Sequence, residues 1–202
     1  MLIASLNRRD SHLPGKGLSA QGGFTVTELM VAVAIVAIIT SLSLPSYRML
    51  IEKRQVTSGA EQIAAFVSAV QIESVMRNEN MTVSYERDAV DNWCIGLTSG
   101  TAACDCATAN SCTVVDSAGT AVERVLSAAN LTYPGIMDSM TGDGSFSFDP
   151  VRGVLVNPND VAGMELISDA GNFALNVEVG PTGRVRICSD SSTTKVPGYD
   201  LC

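Results

Sequence analysis

Histidine is almost absent from this 202-residue chain: the only one is His12, and residues 24–202 contain none. Lysine is scarce in the same stretch, where only Lys53 and Lys195 occur. Ser–His–Asp and Cys–His catalysis and His-ligated metal sites all need an imidazole. No glycine-rich phosphate-binding pattern stands between a predicted strand and a helix. We therefore expect residues 24–202 to have no enzyme activity and to need no metal or cofactor.

Charged side chains are missing from Leu29–Leu44, an apolar run interrupted only by one threonine and two serines. Extended from Phe24 to Tyr47, the run reaches the roughly 20 residues that a helix needs to cross a bilayer. Residues 1–23 carry three basic side chains and one acidic one, namely Arg8, Arg9, Lys16 and Asp10. This excess favours a cytoplasmic N-terminus and export of the rest of the chain. An uncleaved anchor or a cleaved secretory signal is the alternative interpretation, but neither explains Gly23-Phe24 and Glu28.

The residues just before the run read Gly23-Phe24-Thr25-Val26-Thr27-Glu28. Glu28 is unusual there, because a charge at the centre of a bilayer costs about 2.5–3.5 kcal/mol on insertion scales. A secretory signal would also place its cleavage site after the apolar run and not before it. Glycine, phenylalanine, an acid five residues into the cleaved chain, the apolar run and then Pro45 together resemble the class III leader of type IV prepilins and pseudopilins.

The resemblance implies a role for each of these residues. A prepilin peptidase would cut between Gly23 and Phe24, which removes residues 1–23 as a cytoplasmic leader, and the new N-terminus at Phe24 would be methylated. Residues 24–47 would form the transmembrane half of a long helix in the inner membrane, and residues 48–202 a periplasmic domain. Glu28 would pair with the N-terminal amine of a neighbouring subunit during assembly. The implied partners are the membrane, other major and minor pilins and the inner-membrane assembly platform.

Charge and cysteine content agree with a compartment outside the cytoplasm. Residues 24–202 hold ten basic and twenty acidic side chains, a formal charge of −10, which argues against a general nucleic-acid coat. All six cysteines follow the apolar run, as expected for disulfides in an oxidising compartment. The roughly 155 residues after the run are enough for one domain with a core.

Helical periodicity continues beyond Pro45, where we expect a kink or a locally melted turn. Apolar residues then recur at steps of three and four up to an expected helix end near Asn78–Asn80. This stripe, which should pack against the sheet of the same domain, consists of Val56, Ala60, Ile63, Val67 and Val70.

From Met81 onwards the sequence changes to short β-type runs between turn residues. The predicted strands are Met81–Arg87, Trp93–Thr98, Thr113–Asp116, Val122–Leu126, Ser145–Asp149, Gly153–Val156, Phe173–Val179 and Gly183–Ser189. We expect a hairpin from the fifth and sixth of these, and a second from the last two, around the turn at Gly180–Gly183. One long helix followed by antiparallel strands is an α+β domain.

The whole pattern resembles the FimT/FimU/GspH group of minor pilins and pseudopilins. The matching stretches are Glu73–Val83, Asp91–Gly96, Ser145–Gly153 and Gly180–Cys188. The resemblance implies a pilin-like fold, in which a long N-terminal helix packs on an antiparallel sheet with disulfide-stapled loops. It also implies a role in the assembly or priming of a type IV pilus or a type II secretion pseudopilus. Leu97–Met140 has no counterpart in the group.

Four cysteines lie in one loop region, at Cys94, Cys104, Cys106 and Cys112. Their spacing is not a recognised zinc pattern, so we expect two disulfides, with three connectivities open. A bond between the second and third of these cysteines would be strained. Cys188 ends a predicted strand and Cys202 is the last residue, and we expect them to pair, because a carboxyl-terminal disulfide loop recurs in pilins.

Five aspartates are spread over predicted loops, at Asp138, Asp143, Asp149, Asp160 and Asp169. Some pseudopilins bind calcium, but the spacing of these acids lacks an EF-hand loop. Ordinary solvated turns are the expected explanation.

The run Gly183-Arg184-Val185-Arg186 carries the alternative function. Strand alternation puts Arg184 and Arg186 on one face, and Lys195 in the following loop could add a third cation. The run resembles a GRxR signature of FimT-type pilins, linked to DNA uptake, and the same run in FimU-type subunits, which prime pilus assembly. A pilus-borne DNA-binding subunit for natural transformation is therefore the alternative. The acidic charge predicts weak, salt-dependent binding, and we expect both arginines to pair with acids on neighbouring strands or to solvate the sheet face.

Overall fold

The computed structural model describes residues 23–89, 92–131, 135–142 and 144–202. The leader residues up to position 22, together with Asp91 and Asp143, lie outside the described residues. The chain divides into two compact units, Met1–Ser43 and Leu44–Cys202, and each is described by itself.

A single helix, α1 (Val26–Arg77), supplies the described part of the first unit and then enters the second. Every described side chain from Phe24 to Leu42 is exposed, because no other described residue of the first unit covers the apolar run. Among the described residues, α1 is the one helix long and apolar enough to cross a membrane. The backbone stays helical through residue 45, so the locally melted turn predicted at Pro45 is absent. A proline removes one donor, and the turns on either side keep theirs.

In the second unit, α1 buries the predicted apolar stripe. The side chains of Val56, Ala60, Ile63, Val67 and Val70 are all at most 1% exposed. The helix ends where Asn78 adopts a left-handed conformation with φ 54°, and the Glu79 N–H donates to the Ser74 carbonyl at 3.2 Å. This is the bonding of a Schellman cap, and it confirms the predicted end of the helix.

Ten strands and one 3₁₀ turn follow α1 in the described residues. They are β1 (Met81–Ala89), β2 (Asn92–Ser99), β3 (Thr113–Val115), β4 (Ala121–Glu123), β5 (Val125–Ser127), the 3₁₀ turn (Ala128–Asn130), β6 (Ile136–Thr141), β7 (Ser145–Phe148), β8 (Ala162–Ile167), β9 (Ala174–Val179) and β10 (Val185–Ser189). The first sheet has the order β5-β2-β1-β7, the second β10-β9-β8-β6, and β3 with β4 forms a ribbon. All ladders are antiparallel.

One core joins the helix to both sheets. The stripe of α1 packs with Trp93, Phe146 and Phe148 of the first sheet and with Met164 and Leu175 of the second. This confirms the α+β domain in which one long helix packs on antiparallel sheets.

The strands differ from the prediction at four places. β6 and β8 were not predicted, and the expected strand Val122–Leu126 is split into β4 and β5, which pair with different partners. The expected strand Gly153–Val156 is reduced to a bridge between Leu155 and Phe148. The backbone turns there instead, with Gly153 at φ 65°, a conformation that favours glycine and ends a regular ladder.

Three disulfides staple the loops of the second unit. Cys94 pairs with Cys106 and Cys104 with Cys112, whereas Cys188 pairs with Cys202 as expected. The first two bonds lie against β2, where a Cβ at Gly96 would overlap Cys112 Sγ. Glycine at position 96 therefore makes room for the bond.

Candidate functional sites

The N-terminal turn of α1 is closed by a capping box. The Thr25 N–H donates to Glu28 Oε2 at 2.9 Å, and the Glu28 N–H donates to Thr25 Oγ1 at 3.2 Å. The Thr25 hydroxyl also donates to Glu28 Oε2 at 3.1 Å. Such a reciprocal pair satisfies donors that the first turn of a helix leaves free. Sequence reasoning missed this role of Glu28, although Thr-x-x-Glu before an apolar run is its signature.

The cleavage and methylation positions lie just before this box. Gly23 and Phe24 precede the first residue of α1 and are exposed, Phe24 at 88%. A protease can reach an exposed bond that lies outside a helix, so the geometry permits cleavage there.

The second unit has two ends that the helix defines. Near residue 44, which we call the proximal end, Glu52 Oε2 accepts from Asn172 Nδ2 at 2.8 Å and from the Ser168 hydroxyl at 3.3 Å. Near Arg77, the distal end, Gln71 Nε2 donates to the Gly153 carbonyl at 2.6 Å. Glu52 and Gln71 are separated by about 28 Å at 1.5 Å per helical residue.

The structure does not bring the three predicted DNA-binding cations together. A Cβ at Gly183 would lie 2.7 Å from the Gly153 carbonyl and 2.8 Å from Gln71 Nε2, which places the neighbouring Arg184 at the distal end. The Thr194 N–H donates to the Asn172 carbonyl at 3.0 Å, which places Lys195 at the proximal end. β10 carries the chain from one end to the other, and this is why residues close in sequence lie apart.

The two arginines also differ from each other. Arg186 faces Glu178 across the β9–β10 ladder, and its Nη2 and Nε donate to Glu178 Oε2 at 2.7 and 3.2 Å. The Arg184 side chain is exposed and makes no hydrogen bond or ion pair within the described residues. A half-exposed ion pair such as Arg186–Glu178 adds only about 0–1 kcal/mol to stability, but it occupies one of the two guanidinium groups.

A groove of about 880 Å³ on the outer face of the second sheet includes both arginines. Its floor lies at Gly163, which stands between Glu178 and Thr141 in one row of paired residues. Burial raises the pKa of Glu165 in its wall, and the Ser192 hydroxyl and N–H hold the pKa of the adjacent Asp190 low. The groove therefore carries both acidic and basic side chains, without the excess of basic ones that binding to a phosphate backbone requires.

The aspartates considered as calcium ligands do not come together: Asp138 lies in β6, whereas Asp149, Asp160 and Asp169 lie in separate loops. Asp149 accepts from the N–H groups of Val151 and Arg152, and these bonds, the Arg152 N–H first, lower its pKa. Asp160 accepts from Asn157 and Asp169 from Gln55. Within the described residues, one group of three metal-ligand types comes close together, namely Glu178 with Cys188 and Cys202. Both of these cysteines are in a disulfide, so they offer no thiolate.

Comparisons with known proteins find a known motif in the N-terminal segment of this chain. Residues 18–44 match the family model described as the prokaryotic N-terminal methylation motif. Type IV major alpha-pilin of Moraxella bovis is 35% identical over 82 residues, which are 41% of this chain and 50% of that protein. A fimbrial protein of Pseudomonas aeruginosa is 30% identical over 84 residues, 42% of this chain and 53% of that protein.

The chain spans about half the length of the curated relatives it matches. Among solved structures, the type IV minor pilin FimU of Pseudomonas aeruginosa is similar with a TM-score of 0.42 and 16% identity, over 73% of this chain and 96% of that one. Residues 18–44 therefore carry the prokaryotic N-terminal methylation motif, and about two fifths of the chain is similar to the type IV major alpha-pilin and the fimbrial protein named above.

Proposed function

We propose that the chain is a minor subunit of a type IV pilus or a type II secretion pseudopilus. It is cut between Gly23 and Phe24 by a prepilin peptidase, methylated at Phe24 and held in the inner membrane by residues 24–47. Residues 48–202 fold in the periplasm before the subunit enters the filament. The observation that carries the proposal is a helix start that is capped by an acid and followed by an uncharged, mainly apolar run, inside the matched methylation motif.

The apolar half of α1 supplies the assembly surface. Its large side chains, such as Leu29, Ile35 and Ile38, are more than half exposed, and the described part of their unit does not cover them. Lipid tails solvate them while the subunit is anchored. In a filament the same side chains pack against the helices of other subunits, and small residues such as Ala32 and Ala34 let those helices approach closely.

Glu28 can bind a partner without losing its hydrogen bonds in the capping box. The box uses Oε2, and Oε1 accepts no hydrogen bond within the described residues. A carboxylate has about four acceptor positions, so the methylated amine of a neighbour can bind at Oε1 without uncapping the helix. In a low-dielectric filament core this pairing removes two charges that are costly when alone.

The periplasmic domain agrees with a subunit that folds in an oxidising compartment. All six cysteines of the chain are paired within the second unit. The resemblance of Ser145–Gly153 and Gly180–Cys188 to the FimT/FimU/GspH group supports a minor rather than a major subunit.

Mass spectrometry of sheared filaments, compared with the membrane fraction, tests the proposal. We expect a mature chain that begins at a methylated Phe24, and a lower amount of it than of the major subunit. A bulky residue at position 23 should block cleavage. A mature N-terminus beyond Leu44 would instead indicate an ordinary signal peptide and overturn the proposal.

Glu28 can be tested separately from anchoring. Glu28→Val removes a charge from an apolar helix, so membrane insertion should persist while the amount in filaments falls at least tenfold, the equivalent of about 1.4 kcal/mol. Thr40→Val is the matched control, because the Thr40 hydroxyl bonds only its own helix, at the Val36 and Ala37 carbonyls. Equal incorporation of both variants into filaments would show that Glu28 has no role in incorporation.

The DNA-uptake alternative depends on Arg184, since Arg186 is paired and Lys195 lies at the other end. Residues 46–202 titrated with duplex DNA at low salt test it, with Arg184→Gln and Arg186→Gln as variants. We expect no binding. Binding that is lost in Arg184→Gln, with the fold intact, would instead favour the alternative.

A further inference from the structure

The ten basic residues of the second unit fall into two groups. Five hold ion pairs or carbonyl oxygens: Arg77 and Arg124 bind Glu73, Arg87 binds the Met137 and Asp138 carbonyls, Arg152 binds Asp149 and Arg186 binds Glu178. Four of the other five lie at the proximal end, as Arg48, Lys53, Arg54 and Lys195, and we call these four the proximal basic surface. The fifth is Arg184 at the distal end.

The proximal basic surface has no acidic partner. Within the described residues, the side chains of Arg48, Arg54 and Lys195 are exposed and make no hydrogen bond or ion pair. The Lys53 ammonium lies over the Phe173 ring, 5.2 Å from its centroid, which fixes the charge at this end and leaves its N–H donors without a carboxylate. In a unit with nineteen acidic side chains, cations left unpaired at one end need an explanation.

The acids at this end form no ion pair with these cations within the described residues and bind other groups instead. Glu61, which lines one depression with Lys53 and Arg54, accepts from the Tyr199 hydroxyl. Glu52 binds Asn172 and Ser168, Asp169 binds Gln55, and Asp190 binds the Ser192 N–H. The bonds of Glu52 and Gln55 tie the β8–β9 turn to the helix. The Thr194 N–H bond to the Asn172 carbonyl then brings Lys195 to the same end as the three helix cations.

The helix cations lie a short distance along α1 from Leu44, where the apolar run ends. Arg48 follows Leu44 by four residues and Arg54 by ten, which is about 6 Å and 15 Å along a helix. A bilayer extends about 5–8 Å beyond its hydrocarbon core as headgroups, and screening at physiological salt acts over about 8 Å. Long basic side chains reach several ångströms towards the interface, so the helix cations lie within the range of lipid phosphates.

We propose that the proximal basic surface binds anionic phospholipid headgroups of the leaflet in which the apolar run ends. This inference rests on the proposed membrane anchoring. The contact holds the proximal end of the unit against the bilayer until the subunit is extracted into a filament. The paired basic residues at the distal end take no part in it.

Electron paramagnetic resonance with spin-labelled lipids tests the proposal on the full chain in phosphatidylcholine bilayers. The readout is the selectivity of the chain-bound lipid fraction for spin-labelled phosphatidylglycerol over spin-labelled phosphatidylcholine. Each cation near an anionic surface contributes about fivefold. We expect Arg48→Gln/Arg54→Gln to lower the selectivity at least fivefold, and added salt to lower it for the unchanged chain.

Arg152→Gln/Arg184→Gln is the matched control, because it removes the same charge from the distal end. Leader cations are common to all variants and cancel in the comparison. An equal loss in both double variants, or none in the proximal one, overturns the proposal; the second result is expected if these cations serve acidic side chains of a neighbouring subunit. If neither label is restricted in mobility, the chain is not inserted, and the proposed anchoring fails instead.

Discussion

The two halves of α1 handle apolar side chains in opposite ways. From Val26 to Leu42 they point in every direction around the helix and all are exposed, whereas Val56, Ile63 and Val67 keep to one face and are fully buried. The first half has no polar face, and no described residue covers it; a bilayer or a bundle of like helices would do so. The second half is covered by the sheets of its own unit. The stability of the second unit and the proposed assembly surface therefore belong to separate parts of one helix.

The difference between the two halves of α1 is tested most strongly by an isoleucine-to-alanine substitution in each of them. Ile63→Ala leaves a cavity beneath the sheets and should lower the free energy of unfolding by about 2–5 kcal/mol. Ile38→Ala, in the exposed half, should change it by less than about 0.5 kcal/mol. Trp93 is the only tryptophan and is 1% exposed in the second unit, so its fluorescence in urea reports this unit alone. A large loss in Ile38→Ala would mean that the two halves are not independent.

The disulfides give the next largest effect. Cys104→Ser/Cys112→Ser opens a bond whose cysteines are 8 residues apart, and loop-closure entropy predicts a loss of about 2.5 kcal/mol. Only the second unit should weaken, while membrane insertion of the first half stays unchanged. Alkylation of the denatured protein should find no free thiol in the unchanged chain and one in Cys188→Ser, at Cys202. Free thiols in the unchanged chain would contradict the pairing.

The spacing of apolar residues predicted the long elements, because each of these elements buries one face. The stripe of α1 and the alternation in β9 and β10 could be read directly from the apolar residues. β8 also alternates, with Ala162, Met164 and Leu166 buried, but these residues favour helices over strands and hid the pattern. β6 begins Ile136-Met137-Asp138 and shifts register between Met137 and Ser139, so no regular alternation exists there to be read.

The candidate sites were predicted less completely, because distance along the chain does not give position in the fold. The methylation motif is local, and its residues are together by sequence. The separation of Lys195 from Arg184 depends on the direction of β10, and the partners of the paired arginines depend on strand register. The Thr-x-x-Glu pattern of Thr25 and Glu28 predicts a capping box, but the expected assembly role of Glu28 drew attention away from it.

Thr25 allows a smaller test, inside the exposed half. Thr25→Val keeps the shape of the side chain but removes the hydroxyl that accepts from the Glu28 N–H, and loss of a cap costs about 1 kcal/mol. Amide exchange of the first helical turn in detergent should rise about fivefold, while the Trp93 unfolding curve stays unchanged. Unchanged exchange at Glu28 and Leu29 would show that the box does not hold the helix start.

The smallest effect is expected where the C-terminal loop contacts the buried half of α1. The Tyr199 hydroxyl donates to Glu61 Oε1 at 2.7 Å, and burial, together with this bond and the Glu61 charge, raises the pKa of Tyr199 from 10.0 to about 12. Tyr199→Phe should cost about 0.5–1 kcal/mol, the net value of one hydrogen bond, since the group is largely solvated. Exposed Tyr47→Phe is the control.

The pH dependence of this difference identifies its cause. A pKa raised on folding means that the neutral phenol is favoured in the native state, so its contribution is complete below pH 10 and is lost as the pH rises from 10 towards 12. The stability difference between the unchanged chain and Tyr199→Phe should therefore be constant from pH 7 to 9 and shrink above pH 10. A difference that persists unchanged at pH 11 would assign it to packing of the ring against the core, and not to the bond with Glu61.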